Sequence, residues 1–280
     1  MINIQQQEQC CIVTLNARSI NPLSARWQEA LQHLLEQLEQ LAASAQTGAL
    51  VQIKFDASTP DYQLEQLAVL GRAQAAACMQ RVASYQQLLR RLERLSIPVL
   101  AILQGQVLGH AWGLALACHR RYASGAGRFG LPQATLGLMP CGGALVRTGR
   151  LLGLQAALPL PLDGTALDND SALQLGLLHG TIADASALSE VLAAEAAAAV
   201  APVQPWDCAA TSLPGGALNT AANQAFLQLA PARLRARHPQ DVPAEQAILC
   251  ALAEGMQVDF DTAVLIESRY FCQTAIAFQG

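Results

Sequence analysis

The chain has 280 residues, 52% of them apolar, eight cysteines and a formal net charge of −4. Length and composition suit one large globular domain, or a domain with a small appendage. One lysine, Lys54, and an acidic balance exclude the basic stripe that a nucleic-acid surface needs. The cysteines form no C-x-x-C pair and have no histidine at metal-ligand spacing, so they read as reduced thiols of a cytoplasmic protein without a metal site. The opening MINIQQQEQ has neither a basic stretch nor an apolar run, and no secretory signal is expected.

Residues 10–15 alternate weakly and are rich in β-formers, predicting a strand. Asn21-Pro22 predicts a helix start, with an N-cap followed by proline at the first helical position. Leu23, Trp27, Leu31, Leu34, Leu38 and Leu41 then recur at helical spacing. Gly48 closes that helix, residues 50–55 make the next strand, and a loop at 56–61 leads to a helical region over 63–95. Pro98 ends that region, since the residue before a proline is pushed out of the helical conformation. Strand, loop, helix, strand is the rhythm of a parallel sheet.

Residues 97–150 organise the chain. Their first part, 97–118, is an uncharged run of membrane-spanning length, but Pro98, Gln104, Gln106, His110 and a central glycine turn favour a buried strand–turn–helix. The expected elements are a strand at 98–103, a turn at 105–109, a helix at 111–118 and a short strand at 121–123. A loop comes next, around Gly130, Pro132, Gly137, Pro140, Gly142 and Gly143. A strand that ends at a helix N-terminus presents backbone N–H groups suited to an anion or a developing oxyanion.

Beyond residue 150 the pattern predicts a helix at 151–162 interrupted by Pro159 and Pro161, a helix at 171–177, a short strand at 179–182 and an alanine-rich helix at 185–201. Residues 202–216 read as a linker. Helices are expected at 218–229, 244–254 and 260–278, and His238 as an exposed polar residue in a turn. The organisation is then a core at 1–201, the linker, and a helical interaction region at 217–280. No glycine-rich dinucleotide motif occurs, so no nicotinamide site is expected.

Four segments in order carry a resemblance: GQVLGHAWGLALACHRRY, FGLPQATLGLMP with the glycine pair after it, LLGLQAALPLPLDGTALDNDSALQLGLLH, and AILCALAEGMQVDFDTAVLIESRYF. Together they are similar to the crotonase (enoyl-CoA hydratase/isomerase) family, particularly the hydratase region at the front of multifunctional fatty-acid β-oxidation enzymes. The resemblance implies an α/β fold with a crotonase-like ββα spiral core and a C-terminal helical region. It also implies assembly as a homotrimer or hexamer, an acyl-CoA thioester as ligand and no separate cofactor.

Hydration of an enoyl thioester needs two backbone N–H groups on the thioester oxygen and two carboxylates that exchange protons with water and the α-carbon. Carried onto this chain, the two glutamate positions fall on Gly113 and Gln133, neither of which titrates near neutral pH. Gln133 keeps only the capacity to position a water. The first oxyanion donor falls on Pro60, which has no N–H; losing one donor costs on the order of 10²–10³ in rate. The second falls on His110, where the N–H survives and an imidazole is added. The family's Gly-Ala-Gly-Gly-Thr-Gln segment becomes CGGALV at residues 141–146.

The resemblance assigns Asp61, Gly109, Trp112, Met139, Pro140 and Cys141 to the substrate site, with Asp61 also suited to capping a helix and Trp112 to filling the acyl pocket. Lys54, Arg72 and Arg81 are open as contacts for coenzyme A phosphates. His119 reads as structural. His110 is either an acid/base at a helix start or a space-filling histidine, and Cys141 is a small core residue rather than a nucleophile beside His110. The expected function is a family homologue that binds acyl-CoA and has lost hydration, a pseudoenzyme; if active it would belong to the lyase class. Alternatives are an acyl-CoA isomerase or decarboxylase using His110, and a non-enzymatic oligomeric partner subunit.

Overall fold

A computed structural model describes residues 2–7, 10–44, 48–55, 67, 70–198, 203–208, 212–237 and 243–278. Its sheet runs in chain order: β1 (Ile2–Gln7), β2 (Cys10–Leu15), β3 (Leu50–Phe55), β4 (Val99–Leu108), β5 (Arg120–Gly130) and β6 (Gly180–Ile182). β1 is antiparallel to β2, and every later pair is parallel. Val51 lies opposite Val99 and Ile53 opposite Ala101, all of them buried. Such apolar runs belong to strands covered on both faces.

The helices are α1 (Ala25–Ser44), α2 (Ala75–Glu93), α3 (His110–Ala117), α4 (Ala144–Leu152), α5 (Leu154–Ala157), α6 (Pro159–Asp163), α7 (Asn169–Gln174), α8 (Ala185–Ala197), α9 (Ala221–Arg237), α10 (Pro243–Gly255) and α11 (Phe260–Ala277). Among the described residues, no helix is long and apolar enough to cross a membrane.

Several elements differ from the sequence expectation. β1 was not anticipated: INIQQQ carries little apolar signal, and pairing with β2, Ile2 opposite Leu15 and Gln6 opposite Cys11, makes it a strand. α1 begins at Ala25 rather than Pro22, because the Asn21 side chain accepts the Leu23 N–H (2.9 Å) in a local turn, while Ser24 Oγ accepts from Trp27 N–H (3.3 Å) at the helix start. Of the expected turn at 105–109, residues 105–108 are instead strand and only Gly109 turns. β4 shifts register between Leu103 and Gly105 and continues to Leu108 beside an equally extended β5, which replaces the short strand at 121–123. A long parallel partner here overrides local glycine content.

α4 begins directly after the expected loop, over residues for which no element was predicted, and the predicted helix at 151–162 is divided among the end of α4, α5 and α6, the first break falling at Gly153. That glycine has φ +76°, and a Cβ on it would lie 1.9 Å from the Pro214 carbonyl oxygen. Within the expected helix at 63–95, Leu67 is helical, and a 3-10 turn at Arg72–Gln74 leads into α2. α9 extends through Pro231 to Arg237, past the expected end at 229.

Among the apolar clusters that hold these elements together, three position the site. The first joins the sheet to α1 and α3 through Trp27, Leu31, Trp112 and Phe129. The second joins α4, α5 and α10 through Leu145, Leu154, Ile248 and Leu252. The third brings α2, the segment after the 3-10 turn Pro132–Leu136, and α11 together through Cys78, Val82, Leu138, Cys141, Phe271 and Cys272.

Buried ions tie the same elements. Arg147, fully buried, donates to Glu93 (2.5 Å) and to the Gly142 carbonyl (2.7 Å). Arg90 donates to Glu93, Asp207 and Asp261. Both guanidinium groups lie over the Phe260 ring, which stacks on Trp206 at 4.8 Å. His119 is structural, as expected: its Nδ1 accepts from Val99 N–H (3.0 Å) and its Nε2 donates to the Glu93 carbonyl (2.9 Å). Burial lowers its pKa to about 4.

Candidate functional site

β4 delivers the chain to Gly109, whose φ of +59° and ψ of −122° turn it directly into α3. Residues with a Cβ avoid that region. Gly109 N–H donates to the Gly130 carbonyl, and Gly113 N–H closes the first helical turn on the Gly109 carbonyl, both at 2.9 Å. His110 is therefore the first residue of α3. β5 leads into the 3-10 turn Pro132–Leu136, which carries Gln133 inward, and Gly137 at φ +72° returns the chain through Leu138, Met139, Pro140 and Cys141. Gly142 and Gly143, at φ +75° and +78°, turn it into α4.

These segments enclose a cavity of about 20 Å³ lined by Asn21, Pro22, Leu23, Leu67, His110, Gln133, Leu138, Met139, Cys141 and Phe271. That is room for a single water molecule, far below the roughly 300–1,000 Å³ of a small-molecule site. Among the described residues, no carboxylate lines it. Gln133 is 1% exposed, and neither its Oε1 nor its Nε2 has a hydrogen-bond partner among the described residues. His110 Nδ1 lies 4.0 Å from Cys141 Sγ.

Gly113 faces elsewhere. A Cβ there would meet the Cβ of Ala144 at 3.0 Å. α3 and α4 thus touch at this glycine, leaving no volume for a longer side chain unless α4 moves.

Burial sets the electrostatics. The His110 pKa is lowered to about 4, because the charged imidazolium is denied solvent. At neutral pH the ring is a neutral donor and acceptor. The Cys141 thiol is raised well above its ordinary value by burial and by the neighbouring Glu267 carboxylate, so it is a poor nucleophile.

Of the residues expected at the site, His110, Gln133, Met139 and Cys141 share the cavity; Gly109 precedes His110 in the chain, and Pro140, between Met139 and Cys141, is buried but not among the lining residues. Trp112 does not line it. It stacks on Phe129 at 5.4 Å between ring centroids in the sheet core, because two residues along a helix turn it away from His110. Lys54, Arg72 and Arg81 are not among the lining residues, and Arg81 donates to the Leu23 carbonyl (2.9 Å). Pro60, Asp61 and His238 lie outside the described residues.

Sequence reasoning missed Glu267. Fully buried on α11, it accepts hydrogen bonds from Gly143 N–H (2.6 Å) and Val146 N–H (2.9 Å) and so caps α4 from across the molecule. Burial raises its pKa to about 7, against the pull of those two N–H groups. The available signal was a charged residue within the apolar periodicity of 260–278. Phe271, Leu67 and Asn21 were also missed; only packing brings them to the cavity.

The family model described as enoyl-CoA hydratase/isomerase matches residues 5–209. A fatty acid oxidation complex subunit alpha from Shewanella oneidensis is 42% identical over 93 residues, which is 32% of this chain but 13% of that protein. The match thus spans under one seventh of that relative's length. Among solved structures, an enoyl-CoA hydratase/carnithine racemase from Magnetospirillum magneticum superposes with TM-score 0.60 at 24% identity, over 86% of this chain and 82% of that one. An enoyl-CoA hydratase from Bacillus anthracis does so with TM-score 0.55 at 20% identity, over 99% and 92%. At these identities the likeness speaks for the fold, which is the crotonase-like α/β fold expected from the sequence.

Proposed function

The chain belongs to the enoyl-CoA hydratase/isomerase family, and from that premise we propose that it is a non-hydrating member, a pseudoenzyme that serves as an oligomeric partner subunit. We further propose fatty-acid oxidation as its setting, after the name of the Shewanella relative, and acyl-CoA thioesters as its ligand class. The observation that carries the reading is the cavity. It is the size of a water molecule, is lined by no carboxylate among the described residues, and holds a neutral amide, Gln133, at one glutamate position of the family resemblance. At the other, Gly113 abuts Ala144.

General acid–base catalysis of hydration needs a group that titrates within reach of the reacting water. Neither an amide nor a glycine supplies one. Purified full chain mixed with crotonyl-CoA is expected to leave the enoyl-thioester absorbance unchanged over hours. Loss of that absorbance at an ordinary enzymatic rate would overturn the proposal. Calorimetry with acetyl-CoA tests the ligand class separately, and absence of heat would remove acyl-CoA while leaving the partner-subunit role.

One observation favours a second reading. His110 lines the cavity and is held neutral, so it can accept a proton, as isomerisation or decarboxylation of an acyl thioester requires. In that case the wild type turns over some acyl-CoA and His110→Ala abolishes the turnover. Equal turnover by both proteins rejects it.

A further inference from the structure

Outside the cavity, the third apolar cluster contains an arrangement that the family site does not use. Cys78 on α2 and Cys272 on α11, 194 residues apart in sequence, face each other with their sulfur atoms 3.2 Å apart. Both are buried, at 2% and 6% exposure, and both are free thiols. Two helices that present cysteines to one another in a packed core are aligned for a bond that needs about 1 Å of approach to reach a sulfur–sulfur length of about 2.05 Å.

We propose that Cys78 and Cys272 are a redox pair, forming a reversible disulfide that ties the C-terminal helix α11 to α2 behind the cavity. Cys272 donates its S–H to the Cys78 sulfur, which lowers the Cys78 pKa and raises that of Cys272. Cys78 is therefore the attacking sulfur. With a peroxide as oxidant, the Cys78 sulfur attacks one peroxide oxygen, the O–O bond breaks, and a sulfenic acid and one water result. The Cys272 sulfur then attacks the sulfenic sulfur; the S–S bond forms, the S–O bond breaks, and a second water leaves. Two electrons pass from the sulfurs to the peroxide, and both thiol protons end in water. A dithiol reverses the bond by exchange.

The position gives the bond consequences. Phe271, next to Cys272, lines the cavity, and Glu267, on the same helix, caps α4. The disulfide holds both in place, whereas the dithiol leaves α11 held by packing, hydrogen bonds and ion pairs such as Arg90–Asp261. The pairing stands whether or not the cavity serves any ligand.

The test uses reduced full chain treated with a slight excess of hydrogen peroxide, alkylated, digested with trypsin and mapped by mass spectrometry. The expected product is a peptide of residues 73–81 cross-linked to residues 270–280, lost on treatment with dithiothreitol. The oxidised chain should melt roughly 5–15 °C higher than the reduced one, because the bridge closes a long loop in the unfolded chain. Cys272→Ala should lack both the cross-link and the shift; if that variant does not fold, the wild-type map still decides. Separately alkylated 73–81 and 270–280 after peroxide, or a cross-link through Cys141 instead, overturns the proposal.

Discussion

At Gly113 an added Cβ would sit 3.0 Å from the Cβ of Ala144, so the position where the family resemblance expects a carboxylate is a helix contact. Gly113→Glu should therefore destabilise the chain by about 1–3 kcal/mol from overpacking alone, with the burial of a charge added. Paired with Gln133→Glu it should still leave crotonyl-CoA unhydrated; denaturant melts and enoyl absorbance check the two halves. Glu267 makes a pH prediction. Its carboxyl is raised from 4.5 to about 7 in the fold, so the unfolded chain loses this proton first. The fold is then most stable, as far as this group goes, below pH 4.5; it weakens as pH rises towards 7 and levels above. The stability difference between wild type and Glu267→Gln should fall by roughly 2.4 kcal/mol between pH 5 and pH 7.5, read from urea unfolding at both values. A difference that stays constant contradicts the assignment. At this scale the sequence singled out His110, Gln133 and Cys141, which flank turns of recognisable glycine pattern, and the fold brings all three to one cavity. It misplaced Trp112, whose side faces the sheet, and passed over Glu267, whose role comes from a helix more than 100 residues away.

Between elements, the pair most sensitive to substitution is Arg147 with Glu93, both inaccessible and 2.5 Å apart. Removing one partner strands a buried charge, and Glu93→Gln should cost about 3–5 kcal/mol. Arg91 and Glu39 make a similar contact at 2.8 Å, but with side chains 34% and 43% exposed. Arg91→Gln should accordingly cost about 0–1 kcal/mol. Parallel denaturation of the two variants tests the contrast, and equal losses would contradict it. The element pattern explains which predictions succeeded. α1, α10 and α11 were legible because their apolar residues recur at helical spacing. β1 was not, since its glutamines carry no such signal and only the β2 ladder holds it. β4 and β5 run beyond their expected ends because each supplies the other's hydrogen-bond partners past a register shift at Gly105. α4 was invisible because its start, Gly142–Gly143, reads as a loop until Glu267 arrives to cap it.

For the molecule as a whole, the cysteines report how the layers close. Cys208 and Cys250 are exposed, whereas Cys118 and Cys141 are buried and their pKa values are raised by burial. In the reduced chain, iodoacetamide should label Cys208 and Cys250 within minutes. Cys118 and Cys141 should be labelled only as fast as the chain unfolds globally, since labelling needs a thiolate and an open core. Peptide mapping over a urea series reads this, and early labelling of Cys141 would mean that α11 opens separately. By itself, the sequence determined the family and the α/β class. It raised too the expectation, carried by the resemblance, that the two glutamate positions fall on Gly113 and Gln133, since residue identity and local periodicity survive without a partner. The tertiary structure alone decided that the cavity shrinks to the size of a water molecule, that Trp112 leaves it for the core, and that Glu267, Phe271 and the Cys78–Cys272 contact arrive from the C-terminal helix. Those facts depend on side chains meeting across long stretches of chain, and such meetings are fixed by packing between elements, which no local pattern encodes.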